Sequence, residues 1–127
     1  MHRRLLAGAA LFTLLFAGLG CPIVGSNMTW TISDGCPDGL GIEVRFFDKT
    51  NNLVWPPSQS NVYITGSGGS VQQTLACQAG AQICYGARPR SQASTNFWGV
   101  GINGTEGCAA CCTNCFGGAT SRNLVCN

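Results

Sequence analysis

The chain has 127 residues with nine cysteines and 45% hydrophobic residues, a length that accommodates one compact domain. Two of its seven basic residues, Arg3 and Arg4, belong to the N-terminal segment described next, so the remaining five are balanced by the five acidic residues. A balanced chain without a basic run lacks the electrostatic footprint of a nucleic-acid-binding protein, and we expect no nucleic-acid partner.

Residues 1–20 have the three parts of a secretory signal in order. Arg3 and Arg4 precede an apolar run from Leu5 to Leu19, and the small residues Gly18 and Gly20 end the segment. This pattern predicts a cleaved signal and an exported protein. A permanent membrane helix is the alternative, although the two glycines and the proline that follows Cys21 interrupt it.

The end of this segment, Gly18-Leu19-Gly20-Cys21, resembles the lipobox of bacterial lipoproteins. The resemblance implies that Cys21 carries a lipid, becomes the mature N-terminus and provides contact with a membrane. Cysteine parity favours this interpretation, because removing Cys21 leaves eight cysteines that can close four bridges. Ordinary signal peptidase also accepts small residues at positions 18 and 20, which leaves secretion without a lipid open. Residues 21–27 then form a tether.

Strands are predicted from Met28 onward. Apolar residues alternate with polar ones from Met28 to Ile32 and from Ile42 to Phe47, and the second strand has one apolar face and one mostly polar face. Shorter strand-like runs follow at Leu53–Trp55, Asn61–Thr65, Ser70–Cys77, Ile83–Tyr85, Phe97–Ile102 and Leu124–Val125. A single helical turn at residues 107–113 is the one helical candidate. We predict a mainly β fold over residues 28–127, a small disulfide-rich antiparallel β-sandwich or open barrel.

Behind an export signal, cysteines are expected to form disulfides. The eight candidates are Cys36, Cys77, Cys84, Cys108, Cys111, Cys112, Cys115 and Cys126. Cys77 and Cys84 flank a predicted turn, so a bridge across a hairpin is a plausible pairing. Cys111 and Cys112 are adjacent, and we expect them to bond in different directions. The two Cys-x-x-Cys units between residues 108 and 115 also match the spacing of metal sites and of redox motifs, which we rank below disulfides. We expect no metal and no cofactor.

The only histidine, His2, lies in the signal segment, so the mature domain lacks an imidazole for a catalytic triad or a metal site. A carboxylate-based enzyme acting on glycans remains an alternative. The available acids are Asp34, Asp38, Glu43, Asp48 and Glu106. Most of them lie in predicted turns, where aspartate has a structural role, and we assign no catalytic residue.

The three tryptophans, Trp30, Trp55 and Trp98, are candidates for a ligand-facing surface that stacks on sugar rings. In a small domain, large aromatic side chains more often form the core, which is the interpretation that we favour.

The second half of the chain contains Cys84-Tyr85-Gly86-Ala87, Trp98-Gly99-Val100-Gly101 and the cysteine cluster at residues 108–115. These segments resemble a group of small exported bacterial Cys-rich proteins without an assigned activity. The resemblance implies export and disulfides and identifies no protein or glycan partner. We therefore expect an exported cell-envelope domain with a binding or structural role. A freely secreted effector, such as a toxin or inhibitor, and the glycan-acting enzyme are the alternatives.

Overall fold

The computed structural model describes residues 25–58, 60–91 and 95–126, so the predicted signal and Cys21 lie outside the described residues. Within those ranges all regular structure is β, and no helix long and apolar enough to span a bilayer occurs there. The strands in chain order are β1 (Gly25–Asp34), β2 (Ile42–Asp48), β3 (Leu53–Trp55), β4 (Tyr63–Ile64), β5 (Ser70–Gln78), β6 (Gln82–Pro89), β7 (Trp98–Gly99), β8 (Cys112–Asn114) and β9 (Ala119–Leu124).

The first sheet has three strands in the order β5-β1-β9. In β1, Trp30 and Ile32 are fully buried, whereas the residues between them face outward, as the alternation of the sequence predicts. The outward positions form cross-strand hydrogen bonds, for example between the hydroxyl oxygens of Ser33 and Ser70, 2.8 Å apart. Strand β1 thus has one apolar face toward the core and one polar face toward solvent, as is usual for a strand in one layer of a sandwich.

The second sheet has the order β3-β2-β6-β7, with β4 also paired to β2 and β8 also paired to β6. Both sheets are open and neither closes into a barrel. The sheets pack through their aromatic side chains: the ring of Trp30 lies 5.6 Å from that of Phe46 and 5.9 Å from that of Tyr85. Burial raises the pKa of Tyr85, and the charge of Arg122 opposes this in part. The predicted β-sandwich is confirmed, and the barrel alternative is not.

Several local expectations differ from the structure. Strand β1 begins at Gly25, within the predicted tether, because Gly25 is in register with Gln78 of β5. The pairing of β9 with β1 is parallel rather than antiparallel, since the chain crosses over from the second sheet before it enters β9. The predicted helical turn at residues 107–113 is wrong: Cys112 starts a strand in register with Cys84.

The eight cysteines of the domain lie in four pairs at disulfide distance. The pairs are Cys36–Cys126, Cys77–Cys115, Cys84–Cys112 and Cys108–Cys111. The plausible Cys77–Cys84 bridge does not form, because β5 and β6 belong to different sheets and do not make a hairpin. The expectation that Cys111 and Cys112 bond in different directions is confirmed. Two of the bridges fix the C-terminal third of the chain to β5 and β6.

Candidate functional site

The outward face of β2 is unusual because its side chains are buried. Arg45 and Phe47 alternate with the core residues Val44 and Phe46, yet only 6% of Arg45 and 9% of Phe47 is exposed. The outer face of a sandwich is normally solvated, so another part of the chain covers these two residues.

A compact loop at residues 100–106, here called the covering loop, lies over this face. The amide of Val100 donates to the carbonyl of Tyr85 in β6 (3.0 Å), which anchors the loop to the sheet. The amide of Glu106 donates back to the carbonyl of Val100 (3.0 Å), which closes the loop on itself. The predicted strand Phe97–Ile102 is therefore shortened to Trp98–Gly99, and residues 100–102 form the start of the covering loop.

Glycines allow the covering loop to approach the sheet closely. A Cβ atom at Gly86 would clash with the carbonyl oxygen of Gly101, and a Cβ atom at Gly104 would lie 2.6 Å from Cε1 of Phe47. Gly104 also has a φ of 72°, in the left-handed region that favours glycine. The loop thus lies in direct contact with the ring of Phe47 only because these positions have no side chain.

The second wall of the site is the turn between β2 and β3. The Asp48 carboxylate accepts hydrogen bonds from the amides of Thr50 (2.9 Å) and Asn51 (2.8 Å) and from the Asn51 side-chain amide (3.0 Å). Asn52 completes the turn with a φ of 55°, a conformation that asparagine tolerates better than most residues. Lys49 lies between the two walls, since its Nζ donates to the carbonyl of Gly104 on the covering loop.

The turn, strand β3 and the covering loop line a half-open cavity of about 560 Å³ on the outer face of the second sheet. We call it the basic cavity. Its lining includes Arg45, Phe47, Lys49, Asn52, Val54 and Asn103. The two cations both lie near the Phe47 ring, with the Arg45 Cζ 5.8 Å and the Lys49 Nζ 5.4 Å from its centroid. Phe47 therefore positions both positive charges at the cavity.

The guanidinium of Arg45 is incompletely satisfied. Its Nη2 donates to the carbonyl of Ser58 (3.2 Å), whereas its Nε is buried and has no hydrogen-bond partner among the residues that the structure describes. Among the described residues, the single ion pair joins Arg88 to Glu43, so Arg45 has no carboxylate partner there. Native proteins rarely leave a buried donor unpaired, and such a group calls for a specific explanation.

The three candidate ligand-facing tryptophans do not form one surface. Trp30 is fully buried between the sheets. Trp55 in β3 and Trp98 in β7 are half-buried and lie in the two edge strands of the order β3-β2-β6-β7, with two strands between them. The indole nitrogen of Trp98 donates to the carbonyl of Val125 (3.1 Å). Trp30 is therefore a core residue, as expected for a large aromatic side chain, whereas Trp55 and Trp98 are only partly buried.

The acidic residues considered for glycan hydrolysis hold turns or cations. Asp34 and Asp48 are buried and accept backbone hydrogen bonds, and Asp38 accepts one from the amide of Leu40. Glu43 is paired with a basic side chain, and Glu106 lies exposed on the covering loop. These contacts give each of the first four a structural role.

Arg45, Phe47 and Lys49 are not among the site residues predicted from the sequence. One signal was present: Phe47 is an aromatic side chain at a position that the alternation assigns to the polar face of β2. The glycine-rich stretch that covers it is distant in sequence. Comparison with known proteins adds no further guide, since the chain matches no protein-family model, no curated protein and no solved structure.

Proposed function

We propose that this chain is an exported domain of the cell envelope, tethered by a lipid on Cys21, that acts by binding a small ligand in the basic cavity. The observation that carries the binding role is that a buried cation, Arg45, whose hydrogen-bond acceptor among the described residues is one neutral carbonyl, lies in the wall of this cavity. Its volume of about 560 Å³ falls within the roughly 300–1,000 Å³ of ordinary ligand sites. Its walls are fixed by the Asp48 turn and by the glycine contacts of the covering loop, so the site is formed before a ligand arrives.

Export is supported by the cysteine chemistry. Four disulfides persist in an oxidising compartment and are rare in a reducing cytosol. The signal-like segment at residues 1–20 agrees with this location.

The tether is supported by the pairing. A cysteine can take part in only one disulfide. The eight cysteines of the domain pair with one another, which leaves Cys21, the ninth, without a disulfide partner among them. A lipid thioether gives that thiol a role and explains its place after Gly20.

Labelled palmitate tests the tether in the native host. We expect label in the full-length protein and its recovery with membranes, and the loss of both in Cys21→Ala. Ser26→Ala, a change in the first strand, is the control that keeps the label. Protein found in the medium with an N-terminus beyond Cys21 would instead identify a freely secreted effector.

A cavity-filling variant tests the binding role. The thermal midpoint of the mature protein, with disulfides intact, is measured against a panel of small molecules extracted from the envelope, because a ligand of the native state raises that midpoint. We expect stabilisation of the wild type and its loss in Asn103→Trp, which fills the mouth of the cavity. Gln72→Trp, at an exposed position of β5, is the matched control. Stabilisation that survives Asn103→Trp would reject the basic cavity as the site.

A further inference from the structure

The charged groups of the basic cavity indicate which chemical class of ligand it binds. Only 6% of Arg45 is exposed, and its side chain carries a permanent positive charge. Its only hydrogen-bond acceptor among the described residues is the neutral carbonyl of Ser58. A buried cation without a carboxylate is costly, and such groups are normally paired with an anion.

The charged side chains that line the cavity together with Arg45 are Lys49 and Asp48, while Glu43 on the same face of β2 is paired with Arg88. Lys49 contributes a second cation on the same aromatic ring, and its Nζ is bonded to a neutral carbonyl. Asp48 is the acid that also lines the cavity, but its two oxygens already accept three hydrogen bonds from Thr50 and Asn51. The cavity therefore has an excess of positive charge and of donors.

We propose that the basic cavity binds an oxyanion, a carboxylate or a phosphate group, between Arg45 and Lys49. This inference rests on the proposed function, because it assigns a ligand class to the same site. Arg45 lines the cavity, and the N–H groups at the end of its guanidinium match the oxygens of such a group, since charge-assisted hydrogen bonds of this kind are shorter and stronger than neutral ones. Lys49 lines the same cavity and adds a second positive charge there.

The remaining lining describes the rest of the ligand. Asn52 and Asn103 offer amides at the polar side of the cavity, and Val54 offers an apolar wall. A small organic acid or phosphate ester with a hydroxylated or partly apolar body fits this combination. Inorganic phosphate and acetate carry the shared oxyanion chemistry in its simplest form and are the probes of choice.

The experiment uses the mature protein labelled with ¹⁵N, at constant ionic strength maintained with sodium chloride. Phosphate and acetate are titrated separately while the Arg45 Nε–H signal and the backbone amide of Gly104 are followed. We expect a saturable shift of both signals with at least one probe. Acetate alone identifies a carboxylate, phosphate alone identifies a phosphate, and both together identify a site for either oxyanion; all three results support the proposal.

Two cavity variants and one control variant are titrated in the same way. Arg45→Met is expected to weaken binding at least about tenfold, as the loss of a charge-assisted hydrogen bond predicts, and Lys49→Met is expected to weaken it by about threefold to tenfold. Arg90→Met changes an exposed arginine outside the cavity lining and is expected to leave the affinity unchanged. If Arg45→Met does not fold, the wild-type titration and the Lys49→Met variant still test whether the cavity binds an oxyanion.

A titration in which the Arg45 Nε–H signal does not move, or in which Arg45→Met and Arg90→Met bind alike, overturns the oxyanion assignment. If neutral molecules of the envelope panel still stabilise the protein and Asn103→Trp still abolishes that effect, the proposed function survives this failure. Binding of the anions without any stabilising molecule from the envelope panel would instead support this inference and contradict the proposed function.

Discussion

The two faces of β2 are both buried, but by different means. Val44 and Phe46 are buried between the sheets, where aromatic side chains from both layers meet. Phe47 is buried under a loop that touches the sheet through glycines, and Arg45 is buried beside the Phe47 ring, with its Nη2 bonded to the Ser58 carbonyl. The inner face contains apolar contacts that any sandwich needs, whereas the outer face contains a cation without an acidic partner among the described residues. The inner face serves stability, and the outer face has the features expected of a binding site.

The inner face should respond most strongly to mutation. Phe46→Ala is expected to lower the free energy of unfolding by about 3–5 kcal/mol, because it removes a fully buried ring and leaves a cavity between the sheets. Phe116→Ala is the matched control, since 72% of that side chain is exposed, and its effect should stay within about 0.5 kcal/mol. Denaturant unfolding with disulfides intact measures both. Equal losses in the two variants would contradict the assignment of the core.

Two of the disulfides are expected to differ in how much they stabilise the fold. Removing the Cys77–Cys115 pair with alanines is expected to cost about 2–4 kcal/mol, because this bridge joins the first sheet to a segment 38 residues away and opens a long loop when lost. Removing the Cys108–Cys111 pair, three residues apart, should cost less than about 2 kcal/mol. Thermal unfolding of the two double variants measures the loss of stability in each. A larger loss for the Cys108–Cys111 variant would show that the short bridge stabilises the native structure more.

These two predictions also show what the sequence determines locally. The alternation in β1 and β2 predicts their strands and inward residues correctly, because the two-residue period of a strand is a local property. The pairing of Cys77 was not predictable, since it depends on β5 and β6 joining different sheets. The burial of Phe47 depends on a loop more than fifty residues later in the chain. Local patterns therefore give the face to which a side chain points, and non-local contacts decide what covers that face.

The covering loop gives the next smaller effect. Gly104→Ala is expected to destabilise the protein by about 1–3 kcal/mol, because the new methyl group meets the Phe47 ring and the residue has a φ of 72°. Gly107→Ala is the control, since a Cβ atom there has no neighbour within 4 Å. Amide hydrogen exchange should be faster at Val100 and Glu106 in Gly104→Ala. Unchanged exchange would mean that the loop does not depend on close contact with the sheet.

The smallest expected effect on stability is at Arg45, and it tests the comparison most directly. Arg45→Met should change the free energy of unfolding by less than about 1 kcal/mol, or raise it, because an apolar side chain of similar length replaces a buried charge that has only one neutral acceptor among the described residues. Arg88→Met, which breaks the ion pair with Glu43, is the control with a similarly small expected change. Denaturant unfolding measures both variants. A loss of more than about 2 kcal/mol at Arg45 alone would make its guanidinium a structural group, and the outer face of β2 would then be a second core rather than a site. A neutral or stabilising result, together with lost oxyanion binding, would mean that the charge is kept at this position for its ligand, because the fold itself gains nothing from it.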